Sequence, residues 1–288
     1  MIRALKSSLS VRVFTGWLLS LNCGLAVAQV GSDVPSCYTY AGMQATTNQS
    51  SVELFVVVDQ TTPFNDELRQ QIATQIKPFM RDSAAFSVFQ FSAYTQGHYT
   101  ALLAAGQLDA PLDKAQRDDL GKAKLSKFDR CLAEQPRFAA GVAGKALKKA
   151  FGGISSDISN SDILGSLKEI ASRIQKSTAS RKVVLLASDM LENSAIANFY
   201  AKQTLRKIDP AKELDAALKH NMQADFGGAK IYVLGAGLLA EDARKGAKSK
   251  YRGAVEMNAL RSFWHGYFAK SNAELVEFGQ PSLLNQIQ

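Results

Sequence analysis

Asp59, Thr61 and Thr62 close an apolar run, Glu53-Leu-Phe-Val-Val-Val-Asp59-Gln-Thr61-Thr62-Pro63, and two further oxygen-bearing groups follow downstream at Ser161 and at Ser188-Asp189. A short, continuous apolar run reads as a strand buried on both faces of a parallel sheet. Its carboxyl end is where open α/β sheets place their ligands. Two carboxylates (Asp59, Asp189) and two hydroxyls (Thr61, Ser161) form a donor set for a hard divalent cation such as Mg²⁺ or Mn²⁺. Asp59, Thr62 and Asp189 are also the groups such a crevice would offer to a partner.

Other chemistries find less support. The three histidines, His98, His220 and His265, lie far apart with no metal-ligand spacing, and each reads as a surface or partly packed side chain. A nucleophilic serine would need a Gly-x-Ser-x-Gly turn, which is missing. A phosphatase of the haloacid-dehalogenase type needs a second Asp two residues after the first, and Thr61 stands there. Gly235-Ala-Gly237 follows a strand but has no third glycine in place, so it reads as a strand-end turn rather than a dinucleotide site.

The elements that must position these oxygens alternate. Strands are expected over residues 53–58, 86–91, 99–103, 182–189, 229–235 and 273–278, with Gln96-Gly97 as a turn between the second and third. Helical periodicity covers 65–80, with Asn65 as its cap, then 161–174, 195–207, 211–222 and an aromatic-rich 256–270. Phe263, Trp264, Tyr267 and Phe268 fit a core-packing face, or else an anchor for a protein partner. This alternation implies an α/β fold: a doubly wound, mostly parallel central sheet flanked by helices in a three-layer sandwich. Residues 51–280 would form that domain, with a charged, Ala- and Lys-rich helical insertion at about 105–155 and a tail at 281–288.

The ends of the chain carry compartment signals. Arg3, Lys6 and Arg12 precede a short apolar core from Val13 to Leu21, and Ala26-Val-Ala28 fits a small-residue cleavage site. Residues 1–28 thus read as a secretory signal peptide cleaved near Ala28, which predicts a periplasmic or secreted protein with no transmembrane segment in the mature chain. Losing those three positive charges lowers the formal net charge from +8 to +5. The remaining basic runs, such as Lys145, Lys148 and Lys149, read as solvated faces that could meet an anionic surface. No arginine–aromatic or zinc pattern points to nucleic acid. Residues 29–50 read as an irregular arm, with Asn48-Gln-Ser50 an incidental sequon. Cys37 and Cys131 would be the two thiols left after cleavage, and an oxidising compartment favours one disulfide between them, with two buried thiols as the alternative.

In their order along the chain, Asp59-Gln-Thr61-Thr62-Pro63, Ser161-Asp-Ile-Leu-Gly-Ser-Leu167 and Ser188-Asp189 resemble the von Willebrand factor A domain and its metal-ion-dependent adhesion site. The family carries an Asp-x-Ser-x-Ser loop after its first strand, a Thr opening a later helix, and an Asp after a later apolar strand. Asp59 matches the first Asp, Thr61 the first Ser, Ser161 the Thr and Asp189 the last Asp. Pro63 stands in place of the second Ser and brings no side-chain oxygen. Two states of the site are therefore open, one holding Mg²⁺ or Mn²⁺ and one keeping the fold without an ion. The resemblance implies a recognition protein without catalysis; joined to the expected export, it gives the expectation of another envelope or secreted protein as partner, in a bacterial secretion or transfer assembly. The alternative is a periplasmic metal-assisted hydrolase using Asp59 and Asp189.

Overall fold

The computed structural model describes residues 31–44, 49–92, 99–154, 161–201, 204–239 and 253–288. The expected signal peptide with its cleavage point, the Asn48 sequon position, the Gln96-Gly97 turn and His98 lie outside those residues.

Among the described residues the first element is a one-turn helix, α1 (Cys37–Tyr40), followed by the strand β1 (Val52–Asp59). Helix α2 (Asp66–Ile76) follows, capped as expected by the Asn65 side chain, which accepts from the Leu68 amide at 2.9 Å. The helical path expected to continue to residue 80 tightens into a 3₁₀ turn at Lys77–Phe79, where Pro78 lacks an amide hydrogen to extend the α ladder. Strands β2 (Ala84–Ser92) and β3 (Tyr99–Gln107) come next, then helices α3 (Lys114–Asp118), α4 (Lys122–Gly152) and α5 (Ile163–Gln175). After β4 (Lys182–Ala187) come β5 (Tyr200–Ala201), β6 (Thr204–Leu205), α6 (Pro210–Lys219), β7 (Ala229–Leu234), α7 (Ala254–Lys270) and β8 (Ala273–Phe278).

Six strands build one sheet in the order β3-β2-β1-β4-β7-β8. All neighbours are parallel except the edge strand β3, which runs antiparallel to β2. The side-chain period of two explains the layers. Phe55 and Val57 of β1 join the core made with α5, α6 and α7, while Leu54, Val56 and Val58 join the opposite core under α2 and α4. Both faces are covered, so β1 must be apolar at every turn of the pleat. Within residues 105–155, the first three complete β3, and α4 lays Ala139, Ala143, Ala146 and Ala150 against the sheet. Small residues let that long helix approach closely.

One expectation changes, and one pair of open readings narrows to the first. Residues 195–207, read as helix, instead contain the short hairpin β5–β6. Ala197 and Phe199 are buried while Asn198 is exposed, a period of two that overrides the helix-forming alanines. Phe263, Trp264, Tyr267 and Phe268 of α7 are wholly buried and make edge contacts with one another and with Phe199, so they are core rather than an exposed anchor.

The N-terminal arm is tied down along the outer edge of β3. The Asp33 amide donates to the Ala105 carbonyl and the Ala105 amide to the Asp33 carboxylate, covering an edge that would otherwise offer free ladder groups. Cys37 and Cys131 form a disulfide with a Cα–Cα distance of 5.5 Å. At the other end, Leu283 and Ile287 are buried, and Gln75 of α2 accepts from the Ile287 amide at 2.8 Å.

Candidate functional site: the crevice between β1 and β4

Chain order sets the place of the site. From β1 the path steps outward through β2 to β3, then returns to β4 on the other side of β1. The carboxyl ends of β1 and β4 flank that reversal, and such a switch point leaves a crevice where ligands bind. Asp59 ends β1 and Ser188-Asp189 follows β4, so both expected carboxylates are set at this position.

Asp59 is completely buried. Its Oδ1 accepts from the Thr61 amide at 2.8 Å and from the Thr61 hydroxyl at 2.6 Å, and its Oδ2 accepts from the Ser188 hydroxyl at 2.8 Å. Burial pushes its pKa above the ordinary carboxylate value, against the opposing pull of the Thr61 hydrogen bonds. Thr62 is also completely buried, and its hydroxyl accepts from the Asp189 amide at 2.9 Å. In this conformation Asp59 and Thr62 therefore hold the two loops together from beneath. Thr61 is the part-exposed oxygen of the first loop.

Ser161 comes to the same point from the entrance to α5. Its hydroxyl lies 3.3 Å from that of Thr61, and its backbone bridges to Asn193 in the loop after β4. The Thr61 hydroxyl has one proton and gives it to the nearer Asp59, which leaves its lone pairs for the crevice. Asp162 beside it caps α5, accepting from the Gly165 amide at 2.8 Å. Asp189 is 9% exposed; its Oδ1 accepts from the Leu191 amide at 2.8 Å. Asp59, Thr61 and Ser161 are thus set together by their hydroxyl and carboxylate contacts, and the Asp189 loop is tied to them through its backbone amide and the Thr62 hydroxyl.

The donor set can be weighed against a hard cation. Neighbouring ligands of an octahedral Mg²⁺ stand about 3 Å apart, given bonds of 2.0–2.1 Å. The Thr61–Ser161 hydroxyl separation of 3.3 Å fits such a pair. Pro63 contributes no oxygen, so the remaining positions would fall to water and to Asp189. Among the described residues no three His, Cys, Asp or Glu side chains are grouped to hold a metal ion, which restricts the fit to this hydroxyl-rich kind of site.

Sequence reasoning missed how the second loop is held. Met190 takes a positive φ of 62°, a conformation unfavourable for its side chain. The strain is contained on both sides: the Met190 amide donates to the Ser188 hydroxyl, and the buried Trp264 indole donates to the Met190 carbonyl at 2.9 Å. The Gly237 amide also donates to the Asp189 carbonyl at 2.8 Å. Gly235 and Ala236 give their amides to Pro281 and Gly279, so no amide of this turn is left for a phosphate.

Glu192 was missed as well. It is completely buried beneath the start of α5, where its Oε2 accepts from the Leu164 amide at 2.9 Å. Its Oε1 makes no hydrogen bond of good geometry among the described residues. Burial pushes its pKa up to about 8, against the opposing pull of the Ser194 hydroxyl and the Leu164 amide. Nothing in Leu191-Glu192-Asn193 distinguishes it from a solvated loop acid; only the approach of α5 encloses it.

His220 and His265 are exposed, as expected of surface histidines. Among the described residues no helix is long and apolar enough to cross a membrane. No family model matches this chain, and no curated protein matches it.

Proposed function

We propose that this chain is an exported protein that recognises another envelope or secreted protein through the β1/β4 crevice, in the manner of a von Willebrand factor A-like domain. The observation that carries the reading is the convergence of Thr61 and Ser161, hydroxyls 100 residues apart, to 3.3 Å at the topological switch point, with Asp59 locked beneath them. The strand order, the antiparallel β3 and the Asp189 loop support it. Mg²⁺ or Mn²⁺ would be held by Thr61 and Ser161, with Asp59 orienting the Thr61 hydroxyl and Asp189 closing the site. The ion would supply an electrostatic clamp for an acidic group of the partner. This chain's own part is to hold the two loops rigid, through Thr62, Ser188 and Trp264.

The disulfide and the signal-like N-terminal segment support export to the periplasm or beyond. A hydrolase using Asp59 is less well supported. A catalytic carboxylate must touch its substrate, and Asp59 has no exposed surface.

The test is affinity capture of the full chain from its native envelope, with and without chelator, beside an Asp189→Ala variant. A partner released by chelator and lost in the variant is the expected result. A partner retained under both conditions overturns the metal-clamp reading. Turnover of ester or phosphate substrates that stops in Asp59→Asn would replace recognition with hydrolysis.

A further inference from the structure

Helix α4 has a second face that the crevice does not use. The helix is 31 residues long, about 45 Å, and its alanine side lies on the sheet. Arg130, Arg137 and Lys148 are separated by 7 and 11 residues, close to whole helical turns, so they project in one direction away from the core. Lys127 and Lys145, 18 residues apart, form a parallel row beside them. All five are exposed, and so is Lys149 at the end of the helix. Between Arg130 and Lys149 the ridge carries one acid, Glu134. The acids Asp118 and Asp119 stand near the first turn, and Asp129 is paired with Arg117 at 2.8 Å, so the positive field belongs to the later two-thirds of the helix. Phe138 is 51% exposed on the flank of the same ridge.

From this surface we propose a peripheral binding site for an anionic phospholipid bilayer, with the α4 ridge lying along the headgroups and Phe138 entering between them. Charge complementarity calls for an anionic partner, and two observations favour a bilayer over an acidic protein. The ridge runs along one exposed side of a 31-residue helix that has Pro136 inside it, and its extended row of charge suits a broad surface better than a single pocket. Its cations are mostly lysines, hydrated point charges without the planar fork that arginine brings to matched carboxylates. Protein interfaces deplete lysine and enrich arginine. An exposed aromatic set among lysines is the composition of helices that lie at membrane interfaces. Each such cation near an anionic surface strengthens binding by about fivefold at moderate salt.

The test is co-sedimentation of the full chain with vesicles of phosphatidylglycerol mixed with phosphatidylcholine, against phosphatidylcholine alone, at low and high salt. The N-terminal segment carries Arg3, Lys6 and Arg12 beside its apolar run and would add its own attachment, so the quantity read is the difference between the native chain and variants that share that segment. The expected result is salt-sensitive binding to anionic vesicles that falls roughly twenty-five-fold in Lys145→Gln/Lys148→Gln. Phe138→Ser should lower it further without changing the salt slope. The control pair Lys212→Gln/Lys219→Gln, exposed on α6, should retain binding, and thermal melting should show each variant folded. Three outcomes overturn the proposal: no charge-dependent binding, equal losses in the α4 and α6 pairs, or preference for soluble polyglutamate over the vesicles.

Discussion

Asp109, where the N-terminal arm meets β3, and Glu192, beneath α5, are both acids set against backbone amides, yet they differ in what surrounds the second oxygen. Asp109 accepts from the Cys37 amide at 2.6 Å and the Gln135 side chain at 2.9 Å on one oxygen, and from the Ser36 hydroxyl on the other. It is part-exposed, and a disulfide lies beside it. Glu192 has no exposure, an amide donating to Oε2, and an Oε1 that makes no hydrogen bond of good geometry among the described residues. A carboxylate whose work is to fasten an arm is satisfied on both sides and keeps contact with water. An unsatisfied buried carboxyl next to a crevice is costly, and native structures keep such groups rarely. The arm is built for permanence, while the crevice stores an imbalance.

The largest effect is expected at Glu192. Its folded pKa of about 8 lies above the ordinary 4.5, so between those values the folded state holds a proton that the unfolded state has lost. Stability should therefore fall as pH rises from about 4.5 to about 8 and level off above. Glu192→Gln should remove that slope and gain roughly 4–5 kcal/mol over the native chain at pH 9, with little difference at pH 4. Urea melts across pH measure it, and parallel slopes in both proteins would mean that the carboxyl is not held neutral.

The arm should respond next. Cys37 and Cys131 are 94 residues apart, and opening that loop by Cys131→Ser should cost about 4 kcal/mol through the freed entropy of the unfolded chain. Unlike Glu192→Gln, this loss should not vary between pH 5 and 9. A change below 1 kcal/mol by denaturant titration would show the hydrogen bonds along β3 to be sufficient alone.

Asp109→Ala should cost about 2 kcal/mol, because the buried Cys37 amide loses its acceptor. Combined with Cys131→Ser it should add less than its single value, since both changes release the same arm; strict additivity in a double-mutant cycle would separate them.

The smallest effect tests the crevice as an ion site. Mg²⁺ or Mn²⁺ at about ten times its dissociation constant should stabilise the chain by about 1.4 kcal/mol, seen as a rise in melting temperature. Asp189→Ala should abolish the rise. A native chain that melts at the same temperature with and without either ion would leave the crevice as a fixed polar contact, like the arm.

Much of this was legible along the chain. β1 and β4 were readable because strands covered on both faces must be apolar throughout, and Asp59 and Asp189 interrupt those runs abruptly. With Cys23 assigned to the expected signal peptide, Cys37 and Cys131 were the two cysteines left to pair. The hairpin at Tyr200–Leu205 was misread because its strands are two residues each and the alternation before them spans only Ala197 to Phe199, while Ala195, Ile196 and Ala197 suggest helix. Trp264 was readable as core, but its hydrogen bond to Met190 was not. Which carbonyl a buried indole meets depends on how α7 crosses the end of β4.

The sequence by itself determined the α/β alternation, the strand ends bearing oxygens and the candidate set Asp59, Thr61, Ser161 and Asp189, because burial on two faces and chain order are local or countable properties. Only the tertiary structure decided which oxygens are open. It closed Asp59 and Thr62 completely, left Thr61 part-exposed beside Ser161, and sealed Glu192 under α5. Solvent access and hydrogen-bond partners are set by elements far away in the chain, and no pattern within a few residues of a side chain encodes them.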